Sequence, residues 1–399
     1  MTSTSPTRPE RRNDIDWLRI GATYLLFVFH IAKMFDVAPF YHLKNAELSG
    51  GLDYFTGFVH QWHMRLFFLL AGWSLFASLA RRGKRTFVAE RTRRILVPFV
   101  TGTLLFAPFM RYAEILNGTF MTPGGAADPG AFAGASFFEF LPHFFTLEAF
   151  SWAHLWFLLY LYVFTRLYLP LFQRLIQRRD ESHEWSAAWV YAPILPLALI
   201  QVAMRGRWPG HQNLYDDWAN FLFYSLFFIA GFLFACYPAL ERAAHREWRR
   251  AGLLGLAACL AMELPWQAVL DRPEIATRAL SGAAAWGCVL GLLGFARQYL
   301  TVGGAALRYL RESSLPIYIL HSPAIVLVGY WVIQIDAGIP AKFALILAGS
   351  LALALAVYHF AVRRLEPLRV LFGMRGGSPR NRVTGRAVGT SVGEIRGSV

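Results

Sequence analysis

Apolar residues in this chain run in stretches of about twenty, broken by short clusters of Arg and Lys. They do not alternate in the short amphipathic patches of a water-soluble fold. A run of about 20 nearly uncharged residues crosses a bilayer as a helix, because lipid offers the backbone no other hydrogen-bond partner. Ten such runs are predicted, at 16–38, 54–80, 92–116, 152–172, 186–205, 218–239, 250–270, 277–297, 313–335 and 341–362. The predicted fold is an all-α polytopic membrane protein with about ten transmembrane helices. A basic tail, 1–15, precedes a membrane domain, 16–372. Residues 373–399 are Gly-, Arg-, Ser- and Val-rich without periodicity and read as a disordered tail. The first run lacks a small-residue cleavage motif and reads as retained. No clear internal repeat is visible, and no room remains for a separate soluble domain.

The loops between the runs orient the chain. With the N-terminus in the cytoplasm, the inner segments carry 28 of the 39 Lys and Arg and the outer segments carry 6. That bias places both termini in the cytoplasm. It also accounts for the net charge of +14 without nucleic acid: the charge sets orientation and attracts anionic lipid or ligand. Composition agrees, since 56% hydrophobic and 16% charged residues exclude an ordinary soluble domain. Cys236, Cys259 and Cys288 lie in apolar runs without C-x-x-C spacing and read as small buried hydrophobes. The longest outer loop, 117–151, holds no basic residue, and its Phe137–Phe140 stretch suits a membrane-surface segment or a lid over a cavity.

Several costly polar residues interrupt the apolar runs. Arg19 and His30 are eleven residues apart, which places them on one helix face about 16 Å apart. A cation at one end and an imidazole deep in the same membrane helix suggest a pathway or a reaction centre; headgroup snorkelling and a helix–helix hydrogen bond are the structural alternative. His60 and His63 share a face of the second span at a depth similar to that of His30, so the three imidazoles are expected to meet in the outer half of the membrane. No carboxylate or cysteine spacing accompanies them, and no metal is assigned. The loop after span two holds Arg81, Arg82, Lys84, Arg85, Arg91, Arg93 and Arg94, with Arg91 and Arg94 on one face. Paired guanidiniums suit phosphate, whereas orientation and lipid headgroups are the plainer explanation. His154 opens span four within Trp152–Phe157. His321 lies about 12 Å into span nine, where Pro323 is expected to free backbone groups toward a cavity. Glu263, before Pro265, reads as an intramembrane acid that is functional or neutralises Arg65 or Arg111.

Taken together these residues resemble the acyltransferase 3 family of integral-membrane O-acyltransferases. The resemblance rests on R-x10-H as Arg19…His30 after Asp16-Trp17-Leu18, and on F-F-x-x-S/A-G as Phe67–Gly72. It extends through R-x-x-R as Arg91…Arg94 before Pro98, H-L-W-F-L as His154–Leu158, and Ser314–Pro323. The motifs occur in family order over about 16–330 and look most like the succinyl-transferring, glucan-modifying branch. Ala71 departs from the frequent serine, and no fused esterase-like domain is present, so the membrane domain is expected to complete transfer alone.

The resemblance implies transfer of an acetyl- or succinyl-type group from cytoplasmic acyl-CoA to a hydroxyl of an extracytoplasmic glucan or other carbohydrate, at a bacterial inner membrane. Acyl-CoA is then a co-substrate, with no permanently bound cofactor. His30 is expected to act as general base or as acyl carrier, with direct transfer favoured, and Arg19 to position the donor. Arg91 and Arg94 are expected to hold CoA phosphates, with His60, His63, His154, His321 and Glu263 in supporting or acceptor-binding roles. Expected partners are the carbohydrate acceptor, membrane lipid and polysaccharide-synthesis proteins, and not nucleic acid. Two other readings are a carbohydrate or lipid transporter with a histidine proton relay, and a non-catalytic scaffold. Against the transporter, no paired inverted-repeat pattern of broken helices is visible.

Overall fold

A computed structural model describes residues 12–39, 41–122, 126–180 and 183–375, so most of both predicted tails lies outside the described residues. Regular structure among the described residues is helical apart from a single antiparallel bridge between Met121 and Ala127. In order, the α-helices are α1 (Asn13–Phe35), α2 (Gly50–Leu79), α3 (Lys84–Arg91), α4 (Val97–Asn117), α5 (Phe137–Phe144), α6 (Trp156–Leu167), α7 (Leu169–Gln177), α8 (Ala187–Tyr191), α9 (Ile194–Met204), α10 (Trp218–Cys236), α11 (Pro238–Met262), α12 (Pro273–Tyr299), α13 (Ala305–Val332), α14 (Ile339–Ala356) and α15 (Glu366–Leu371). π-Helical turns at Thr92–Leu96 and Val357–Val362 join α3 to α4 and extend α14.

Each of the ten predicted spans corresponds to a helix or a helix pair. Among the described residues, seven of these are long and apolar enough to cross a membrane, and the pair α6–α7, bent by 51°, makes an eighth. The remaining two, α2 and α11, are long helices diluted by polar residues. α2 carries His60, His63 and Arg65 in its middle, while α11 is charged over its first half, from Glu241 to Arg250. The count of ten is therefore approximate on apolarity.

Loops segregate to two ends. At one, Arg12 and Arg297 share Glu241, Trp17 donates to the Val302 carbonyl, and Arg82, Arg94 and Arg375 surround Glu90. This is the basic end that the charge bias assigns to the cytoplasm. At the other end, Lys44 meets Asp36, Trp152 donates to the Gln212 carbonyl, and Lys342 donates to the side chain of Asn45.

Bundle packing relies on close backbone approach. A Cβ on Gly72 of α2 would lie 1.9 Å from the Phe228 carbonyl oxygen, and one on Gly231 of α10 would lie 1.9 Å from that of Leu69. Two reciprocal glycines thus let α2 and α10 touch, and Gly72 is the glycine of the F-F-x-x-S/A-G stretch. Phe68 fills the space beside them, its ring 4.8 Å from those of Phe157 and Tyr224. α5 begins with a reciprocal Ser136–Glu139 capping box and packs Phe140 and Phe144 into a small outer core with Ala107, Phe120 and Ala149. Phe138 faces outward, 80% exposed. The predicted lid segment is therefore a short amphipathic helix at the outer end.

Candidate active site

A cavity of about 360 Å³ opens among the outer-end loops and reaches down between α1, α2 and α13. His30, His42, His60, His63, His154, His211 and His321 line it, seven of the eleven histidines in the chain. Tyr41, Arg111, Glu114 and Tyr318 contribute further polar atoms, and segments around Thr119–Thr122 and Phe150–Ala153 wall its mouth. The structure thus brings together His30, His60, His63, His154 and His321, which the sequence places on three spans and at the start of a fourth.

A proline explains how His154 is held. Pro323 has no N–H, so the carbonyl four residues earlier, that of Ile319, loses its helical partner. His154 Nε2 donates to that oxygen at 3.0 Å, and Tyr318 Oη donates back to the His154 carbonyl at 2.5 Å. The freed backbone group expected in α13 is therefore Ile319 O, and the H-L-W-F-L segment caps it. Ala153, just before His154, holds φ at +48°, a left-handed conformation that costs a non-glycine residue about 1–2 kcal/mol. A hydrogen bond from its N–H to Ser151 Oγ at 3.0 Å supports this turn.

Carbonyl partners also define tautomers, since a carbonyl only accepts. His63 Nε2 donates to Ala22 O at 2.7 Å, and His321 Nδ1 donates to Tyr318 O. In the neutral ring His154 Nδ1 and His321 Nε2 are then the unprotonated nitrogens, and both are buried without a donor among the described residues. His30 differs. Neither of its ring nitrogens has a hydrogen-bond partner among the described residues; Nδ1 is buried and Nε2 is the open one. Its ring stacks on Tyr41 at 5.5 Å and lies 5.2 Å from His321, which is in turn 5.0 Å from His154. His60 also lacks a ring hydrogen bond among the described residues, at the edge of the cavity that adjoins Arg65.

The other expected site residues lie elsewhere. Arg19 does not line the cavity. It donates to Ser74 Oγ at 2.6 Å, pairs with Asp16 at 3.3 Å, and lies close enough to Arg91 for their charges to interact. Arg91 and Arg94 flank the start of the π-turn at the basic end. Arg94 pairs with Glu90 at 3.6 Å, whereas Arg91 rests on the Phe87 ring and makes no ion pair among the described residues, Glu90 acting on it only by charge at longer range. Glu263 corrects its sequence reading: it caps the C-terminus of α11 and is exposed, away from the cavity, because α11 ends before it. Arg111 pairs with Glu114 one turn along α4, and Arg65 takes the His60 carbonyl, so Glu263 neutralises neither.

Sequence reasoning missed Glu114 and His42. Glu114 is the one carboxylate among the residues lining the cavity, bonded to His42 Nδ1 at 2.5 Å and to Arg111. The i,i+3 spacing of Arg111 and Glu114 was a visible signal. That of His42 was not, because it comes from a loop.

A helical membrane bundle enclosing a polyhistidine cavity defines the class, and comparison with known sequences agrees. The acyltransferase domain family matches residues 12–359, and the chain belongs to this acyltransferase 3 family. It is an integral-membrane acyltransferase. Among curated proteins it is similar to glucans biosynthesis protein C of Escherichia coli O139:H28 (strain E24377A / ETEC) and of Escherichia coli (strain K12). Each is 23% identical over 353 residues, covering 82% of this chain and 86% of the relative. No solved structure matches the chain significantly.

Proposed function

We propose that this protein transfers an acyl group, of acetyl or succinyl type, from cytoplasmic acyl-CoA to a hydroxyl of an extracytoplasmic glucan or related carbohydrate at a bacterial inner membrane. The carrying observation is the outer-end cavity. His30 Nε2 is open and unanchored there, beside the donor-less nitrogens His154 Nδ1 and His321 Nε2. A buried acceptor without a donor costs about 1–3 kcal/mol, and sugar hydroxyls are donors. The names of the relatives add glucan as the carbohydrate class.

In the proposed reaction His30 Nε2 removes the acceptor hydroxyl proton as that oxygen attacks the thioester carbonyl. The acyl–oxygen bond forms, the acyl–sulfur bond breaks, and the His30 imidazolium returns its proton to the CoA thiolate. Imidazole suits both halves near neutral pH. In this reading Arg91, which makes no ion pair among the described residues, and Arg94 hold the CoA phosphates at the basic end, and Arg19, within charge range of Arg91, lies on the helix that carries His30. Direct transfer is favoured over an acyl-histidine because one base facing both substrates suffices.

The test is acyl-CoA-dependent modification of glucan by the purified protein, read by mass spectrometry with acetyl-CoA and succinyl-CoA offered separately. A mass increment on the glucan that depends on the donor and disappears in His30→Gln is expected. No increment with either donor, from folded wild-type protein, would overturn the proposal.

A further inference from the structure

Beside the histidine cavity, and sharing His60 and Gln212 with it, lies a second pocket of about 250 Å³ between α2, α9, α10 and α12. Three guanidiniums line it, those of Arg65, Arg205 and Arg278, with no carboxylate among the lining residues. Arg65 is 4% exposed. One of its amino groups donates to the His60 carbonyl, and the rings of Phe223 and Tyr224 lie 5.3 and 5.5 Å from its guanidinium carbon. Its Nε is buried without a partner among the described residues. Arg278 carries no ion pair or side-chain hydrogen bond among the described residues. Arg205 is structural, bonded to Gln201, Asn220 and two carbonyls of its own loop.

Asp217, outside the lining, acts by charge on Arg205 but forms no ion pair with Arg65 or Arg278 among the described residues. It accepts from Tyr160 Oη at 2.7 Å and from Asn220 Nδ2 at 3.1 Å, and burial pushes its carboxyl up to about 6. Arg65 is a buried cation without an ion-pair partner among the described residues, which is expensive, and the half-buried guanidiniums of Arg205 and Arg278 beside it add like charge. An oxyanion with several acceptor atoms removes that cost, by charge and by bidentate hydrogen bonds. We propose that this pocket is an oxyanion subsite that takes a carboxylate or phosphate borne by a substrate whose reacting part lies in the histidine cavity. The choice of substrate rests on the transfer reading above; the anion site does not. Two sources fit the same chemistry: the free carboxyl end of a dicarboxylic acyl group, and a phosphate on the acceptor glycan.

Binding is measured first, by calorimetry on the purified full-length protein, with succinate, inorganic phosphate and neutral succinamide as probes. Saturable binding of an anion, but not of succinamide, is expected. It should weaken about tenfold or more in Arg278→Gln, the loss of one charge-assisted pair, and recover partly in Arg278→Lys. Should Arg278→Gln fail to fold, Arg278→Lys alone still reads the loss of bidentate geometry. Transfer then assigns the source. A fall in kcat/KM confined to succinyl-CoA, with acetyl-CoA unaffected, assigns the acyl carboxylate. A fall confined to phosphate-bearing acceptors, whatever the donor, assigns the acceptor. Anion binding that depends on Arg278 in a protein transferring nothing would leave the site standing and remove the transfer reading. No saturable binding of either anion, or binding indifferent to Arg278, would overturn the subsite.

Discussion

Replacing His30 by Gln separates chemistry from architecture more cleanly than any other change in the cavity. The ring makes no hydrogen bond, so its removal strands no partner among the described residues. What is lost structurally is ring packing against Tyr41, Phe29 and His321, at 5.5, 5.2 and 5.2 Å. Such contacts are worth about 0.5–1.5 kcal/mol each at most. A general base, by contrast, supplies about 10²–10⁴ in rate, or about 3–5 kcal/mol of barrier. His30→Gln should therefore fold, bind acyl-CoA almost as wild type, and transfer at least about a hundredfold more slowly. His154→Ala should behave in the opposite sense. It uncaps Ile319 O, at a cost of about 1–3 kcal/mol, and should lower thermal stability before any effect on rate is considered. The assay is single-turnover transfer at saturating donor and acceptor, with melting and acyl-CoA binding measured on the same preparations. Well-folded His30→Gln within about tenfold of the wild-type rate would refute His30 as base and as acyl carrier alike.

The remaining predictions concern the rest of the bundle. Arg91→Gln with Arg94→Gln should weaken acyl-CoA affinity, with a Lys pair recovering only part of it; unchanged affinity in calorimetry would return both residues to topology or lipid contact. Single cysteines at Thr86 and Ala127, both exposed and at opposite ends, should react oppositely with an impermeant thiol reagent in intact cells, with Ala127→Cys labelled from outside; labelling of Thr86→Cys instead would invert the orientation. Glu114→Gln should weaken the hold on both Arg111 and His42, costing about 3–5 kcal/mol if Arg111 is left an uncompensated buried charge, and a melting temperature equal to wild type would show that the pair contributes nothing.

The spans were legible because a bilayer imposes one length and one polarity on every helix, and the positions of most breaks followed from Arg and Lys clusters. α2 and α11 are where that reading was weakest. His60, His63 and Arg65 lower the apolarity of α2 although His63 and Arg65 are buried against neighbours, so the feature that marks the site also blurs the span. The candidate site was half legible. His30, His60, His63, His154 and His321 were each costly in lipid, and cost is visible residue by residue. Glu114, His42 and the arginine pocket depend on which helices and loops meet, which no spacing encodes. Glu263 misled for a related reason: α11 begins with three charged turns, which moves its apolar half outward and leaves Glu263 at the helix end.

Pro323 shows what couples the separate motifs. A proline in a membrane helix strands a carbonyl, and in lipid that group must find a donor nearby. The donor comes from His154, 165 residues away along the chain, carried on a turn in which Ala153 is held in a left-handed conformation. Once Nε2 is committed to Ile319 O, the tautomer of His154 is decided and its Nδ1 must be an acceptor. His321, held on Tyr318 O by Nδ1, is decided in the same way and must accept through Nε2. Two of the three imidazoles nearest one another are thus fixed as acceptors by backbone carbonyls, while His30 between His321 and Tyr41 keeps both tautomers available. A base must take up a proton and return it, which an imidazole held by a carbonyl does less freely than one without such a bond. Hydrogen bonds to backbone carbonyls, between elements for His63 and His154 and within α13 for His321, give these three a plain structural role and separate them from His30 and His60, whose rings make none among the described residues; of these two, His30 is the one packed against His321.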